Sequence, residues 1–87
     1  MARDDAPRRI DGLEIHDTDG GWVVFDSAHN RVHNLNASAL AVLELCDGEV
    51  TVTEMARVLR RAFGTTKAPM DEVVACVATL RAESLVV

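Results

Sequence analysis

The sequence predicts an α+β domain: a three-stranded antiparallel sheet followed by three helices, in winged helix-turn-helix-like order. Three observations carry this. Between residues 10 and 35, short apolar runs alternate with clusters of turn formers. At Leu35 the apolar period changes from two to about 3.6 residues. From there on, cap and stop residues divide the chain into three helical stretches. Strands that precede helices in a block give an α+β class, whereas strict alternation would give a parallel sheet.

Residues 1–9, MARDDAPRR, are polar and charged around Pro7 and read as a flexible arm, leaving residues 10–87 as a single domain. Leu13-Glu14-Ile15-His16 alternates as a first strand, and Asp17-Thr18-Asp19-Gly20-Gly21 turns the chain. Residues 22–25 form a second strand, closed by a turn over 26–30. Residues 31–35 form a third, with His33 and Leu35 on one face and Val32 and Asn34 on the other. Tight connections make these a meander.

The run LNASALAVLELCDGEVTVTEMARVLRRAF, residues 35–63, is the densest in signals. Asn36 suits an N-cap, because its side-chain oxygen can accept from an orphan amide of the first turn. The helix it opens, over 37–46, has only Ser38 and Glu44 as polar interior positions, so burial on more than one side is expected. Asp47-Gly48 ends it, with Gly48 free to take positive φ. Thr51 and Glu54 make a T-x-x-E capping box. The helix that follows, over 52–63, puts Val52, Met55, Ala56, Leu59 and Phe63 on one face and Arg57, Arg60 and Arg61 elsewhere, and Gly64 stops it. Pro69 fits the first turn of a third helix reaching about residue 84, and residues 85–87 add an apolar tail. The expected core is Leu35, Leu40, Leu43, Met55, Leu59, Phe63, Val73, Val77 and Leu80.

Eighty-seven residues with 48% hydrophobic content suffice for one modest core without disulfides or metals. Only Trp22, Phe25 and Phe63 are aromatic, so aliphatic side chains must fill it. A net charge of −5 argues against a general nucleic-acid binder, whose affinity rests on Lys and Arg displacing counterions from phosphate. The first residues lack an apolar signal region and no stretch approaches the roughly 20 residues of a membrane span, so a cytoplasmic protein without membrane contact is expected. In that compartment Cys46 and Cys76, far apart and inside helical patterns, are expected to be reduced core residues.

No constellation of catalytic residues stands out. His29 and His33 are four apart, a spacing that converges on a metal from a helix but not from a turn running into a strand. Cys46 sits at a helix C-terminus, where the dipole disfavours a thiolate. Hence neither enzyme activity, metal nor cofactor is expected. On the third helix Met70, Val73, Val74, Val77, Leu80 and Arg81 share one arc, with Ala78 beside it and Glu72, Thr79 and Glu83 opposite, on the wet side. Arg81 among apolar neighbours has two readings. It snorkels at a rim, or Val74, Ala78 and Arg81 line a groove for a ligand with apolar and acidic groups.

The segment GWVVFD…RVHNLNASALAVLELCDGEVTVTEMARVLRRAF resembles the PqqD family of small peptide chaperones. The signature is a strand leading into Leu35-Asn36, a small-residue helix start, Leu45-Cys46-Asp47-Gly48, and Thr51-Val52-x-Glu54; the likeness covers residues 10–87. It implies a precursor-peptide recognition element of a pathway for ribosomally made, post-translationally modified peptides (RiPPs). In such a domain the leader of the precursor adds as a strand to the third strand. Carried onto this chain, the pairing edge would be Arg31, Val32, His33, Asn34 and Leu35, and the groove wall Val74, Ala78 and Arg81. The sequence departs from the family at residues 31–34, where relatives often carry more aromatics. The partner implied is a separate modifying enzyme, such as a radical S-adenosylmethionine protein or a leader peptidase. Two other classes compete with this reading: a winged-helix DNA-binding regulator, disfavoured by the acidic third helix, and a non-catalytic assembly subunit.

Overall fold

In the computed structural model, residues 5–64 and 70–87 are described. The order is β1 (Leu13–Thr18), β2 (Gly21–Asp26), β3 (Arg31–Leu35), α1 (Ala37–Leu45), α2 (Val52–Phe63) and α3 (Met70–Ala82), the α+β arrangement expected. The strands form one antiparallel meander in the order β1-β2-β3. Trp22 stands opposite Leu35, Val24 opposite His33 and Asp26 opposite Arg31. Val24 and Asp26 are buried, so this set of side chains faces the helices while Val23, Phe25, Val32 and Asn34 face away. Helix α1 lies under β2 and β3, and α2 and α3 pack on it and on each other.

The cap residues behave as their chemistry requires. Asn36 Oδ1 accepts from the Ala39 amide at 2.8 Å. Asp47 Oδ1 accepts from the amides of Glu49 (2.8 Å) and Val50 (2.9 Å), and Gly48 has φ +87. Thr51 and Glu54 complete the reciprocal capping box. Pro69 lies outside the described residues. α3 ends two residues earlier than expected, in a Schellman motif. Ser84 takes the left-handed conformation at φ 62, its amide donates to Arg81 O, and the Leu85 amide reaches back to Leu80 O. Leu80 and Leu85, both buried, make the apolar contact that accompanies this motif.

The core joins Val24 to Val42, Leu43, Cys46, Val52, Met55, Ala56, Leu59, Val73, Val77, Leu80, Leu85 and Val86. Leu40 is buried and Leu35 is partly buried against the cluster, as expected. Phe63 is a correction. It is the last residue of α2 and 50% exposed.

The arm is a second correction. Met1–Asp4 lie outside the described residues, but residues 5–9 are docked. Arg8 exchanges two backbone hydrogen bonds with Val87, the Arg9 amide donates to Cys46 O, and Pro7 O and Asp5 O accept from the amides of Gly48 and Val52. Pro7 is buried. The physical reason is the tail: Leu85 and Val86 are buried, and the exposed backbone beside them offers a strand edge that the arm satisfies.

Candidate functional site

The meander leaves β3 at the edge of the sheet, with one ladder to β2 and no strand on its other side among the described residues. Two features fix that edge. Asp26 is 1% exposed, and its carboxylate accepts from the His29 backbone amide at 3.3 Å and contacts His29 Nδ1 at 2.7 Å, closing the turn that starts β3. Burial pushes the Asp26 carboxyl up, but the bonds from His29 outweigh it and hold the group below its usual value. At the other end Gly21, with φ +144, stands against Leu35. A Cβ there would meet the Leu35 carbonyl oxygen at 2.8 Å, so only glycine lets the two backbones approach.

β1 is also an edge, but it differs. Its side chains beyond Leu13 are exposed on both faces and include Glu14 and Asp17, the charged edge that discourages further pairing. β3 has a second wall. The end of α3 reaches β3 through side chains: His33 Nδ1 contacts Glu83 Oε2 at 3.0 Å, and Arg31 Nη2 donates to the Glu83 carbonyl at 3.0 Å. His33 is only 12% exposed, and its Nε2 is buried without a partner. Between the three helices lies an apolar pocket of about 260 Å³ lined by Ser38, Val42, Leu59, Phe63, Glu72, Val73 and Cys76.

The sequence-predicted site residues divide. Arg31, Val32, His33, Asn34 and Leu35 form the free edge together, with Val32 57% exposed on the outer face and His33 and Leu35 turned inward. Val74, Ala78 and Arg81 do not face it. The α3 flank toward β3 carries Cys76 and continues through Thr79 to Glu83, since these positions are three and four apart. Arg81 lies about 160° round the helix from Glu83, with Ala78 and Val74 on its side. Its Nη1 meets Asp5 Oδ2 at 2.7 Å. The flank of α3 that meets β3 thus carries Cys76, Thr79 and Glu83, with the expected wall residues Val74, Ala78 and Arg81 on the other flank. Helical period alone says which residues share a flank, not which flank turns to the third strand.

Polar chemistry elsewhere is accounted for locally. His16, His29 and His33 contact Glu14, Asp26 and Glu83 in three separate places, and no group of three or more metal-type ligands converges among the described residues. Cys46 and Cys76 are unpaired, and burial pushes the Cys46 thiol up to about 12. No described helix is long and apolar enough to cross a membrane. The arrangement offers backbone donors and acceptors along one strand, an apolar pocket and a cluster of hydrogen-bonding side chains. That equipment suits an extended chain.

Comparison with known proteins gives the family and the fold. The sequence profile of the family described as Coenzyme PQQ synthesis protein D (PqqD) matches residues 21–86. The chain belongs to the PqqD family. A solved structure is similar over 99% of this chain and 93% of its own, with a TM-score of 0.78 and 24% sequence identity. It is the solution NMR structure of the PqqD truncation of Methylobacterium extorquens PqqCD, described as a functional and stand-alone RiPP recognition element. That likeness establishes the PqqD fold here. No curated protein gives a significant match.

Proposed function

We propose that this PqqD-family chain is a RiPP recognition element that binds the leader region of a ribosomally made precursor peptide and presents it to a separate modifying enzyme. One observation carries the reading: among the described residues β3 has no strand on its outer side, and the end of α3 stands beside it through Glu83. Strand addition there supplies main-chain hydrogen bonds for affinity, and side-chain pockets supply choice. Arg31–Leu35 is the pairing segment. His33, Leu35, Cys76, Thr79 and Glu83 form the floor and wall, and the Val42–Phe63–Cys76 pocket takes a side chain beyond the paired stretch. Val74, Ala78 and Arg81 lie behind that wall. The chain itself performs no chemistry in this reading; its partner enzyme, a radical S-adenosylmethionine protein or a leader peptidase, does.

The test is a calorimetric titration with a synthetic leader of the precursor encoded beside the gene, run in parallel with duplex DNA. Saturable one-to-one leader binding, with DNA binding weak and lost on adding salt, supports the proposal. Specific DNA binding without leader binding would replace it with the regulator reading, and binding of neither would favour the assembly subunit.

A further inference from the structure

We infer that the Glu83 carboxylate is an internal competitor of the bound peptide, holding the His33 side chain that an acidic residue of the peptide would otherwise engage. This rests on strand addition to β3 as proposed above. Arg31 and His33 stand on the same face of β3, two residues apart. Both meet one residue of the α3 end: His33 Nδ1 the Glu83 carboxylate and Arg31 Nη2 the Glu83 carbonyl, each at 3.0 Å. A peptide paired along the whole of β3 places an inward side chain at the level of His33, where the Glu83 carboxylate now stands.

The chemistry of the displaced contact names the incoming group. The His33 imidazole N–H facing the Glu83 carboxylate is a donor, so the side chain that takes it over must accept, while Arg31 keeps its bond to the fixed Glu83 carbonyl. A carboxylate does this best, through charge-assisted bonds. His33 Nε2, buried with no partner at the same level, is a further unmet group that a peptide donor can satisfy. Glu83 cannot withdraw bodily. Its backbone is the cap residue of a Schellman motif, fixed by the Ser84-to-Arg81 and Leu85-to-Leu80 bonds and by buried Leu85. Only the side chain can swing out, so the competition is between one carboxylate and another. The consequence is a preference: the chain selects leaders whose acid at this level outcompetes its own.

Calorimetric titration of wild type, Glu83→Gln and Glu83→Ala tests this with two synthetic probes. One is the leader of the precursor encoded beside the gene; the other is the same leader with every Asp and Glu changed to Asn and Gln. Glu83→Ala is expected to bind the acidic leader about three- to tenfold tighter, the size of releasing one ordinary hydrogen bond. Glu83→Gln should fall between it and wild type, and neither should gain on the amide leader. Glu83→Gln keeps the shape and the carbonyl contact, so it carries the test if the alanine variant melts too early. If wild type binds and both variants bind equally or more weakly, Glu83 supports the groove and the inference is overturned. If wild type binds neither leader, the strand-addition reading falls and takes this one with it.

Discussion

Arg81 Nη1 stands 2.7 Å from Asp5 Oδ2, joining α3 to the segment that precedes the first strand. The pair is half-buried, with the two side chains 33% and 27% exposed, so solvent screens much of its energy. Arg81→Ala and Asp5→Ala should each cost about 0.5–1 kcal/mol in thermal unfolding. Their double mutant should cost little more than either, as coupled partners do. A large loss of leader affinity in Arg81→Ala alone, with Asp5→Ala normal, would put the arginine back among the peptide contacts.

Acid should loosen the start of β3. The Asp26 carboxyl is depressed, with burial opposing and the His29 bonds prevailing, and Asp5 is depressed by its hydrogen bond to Arg81. A group whose folded pKa is lowered stabilises the fold above its unfolded value, about 3.9 for aspartate, and loses that contribution as pH falls through the folded value. Melting curves of wild type should therefore shift downward in temperature below about pH 4. Asp26→Asn should start lower and show a flatter acid dependence; an unchanged slope would mean that Asp26 is not the group responsible.

Gly21→Ala should damage β3 from a residue outside it. The added carbon meets the Leu35 carbonyl at 2.8 Å, and φ +144 is poor for any L side chain. A cost of about 1–3 kcal/mol is expected from such strain. Gly20→Ala is the control, because a Cβ there meets nothing within 4 Å. Equal stability of the two variants would show that the backbone at Gly21 relaxes freely.

Cys76 tests which flank of α3 meets the leader in the proposed complex. It lines the apolar pocket, whereas Cys46 is fully buried with its thiol raised to about 12 and should stay inert to alkylation. A bound leader should slow iodoacetamide labelling of Cys76 several-fold, and leave a cysteine introduced by Ala78→Cys unaffected. Protection of position 78 alone would restore the wall read from the helical wheel.

Much of the fold was legible because the signals were local. Asn36, Asp47, Gly48, Thr51 and Glu54 each act within four residues of themselves, so their roles follow from type and spacing. The β3 edge was legible for the same reason, its alternation placing His33 and Leu35 inward. What escaped depends on partners distant in sequence. Glu83 meets Arg31 52 residues away, and Arg81 meets Asp5 across nearly the whole chain. Nothing in the helical period distinguishes their two flanks. Phe63 was placed in the core by that period, yet it is the last residue of α2 and half exposed. The arm looked free because its contacts are made by backbone, which composition does not reveal.

Amide hydrogen exchange followed by NMR, with and without the synthetic leader, tests strand addition most directly. In an antiparallel pair alternate residues turn their amides to the partner strand, so about half the amides of Arg31–Leu35 already bond to β2 and the rest face the free edge. The account predicts that the leader slows exchange at the free-edge amides of β3 and leaves the outer amides of β1 unchanged. A leader that binds while those β3 amides exchange as before, or that protects β1 or the arginine face of α2 instead, contradicts it.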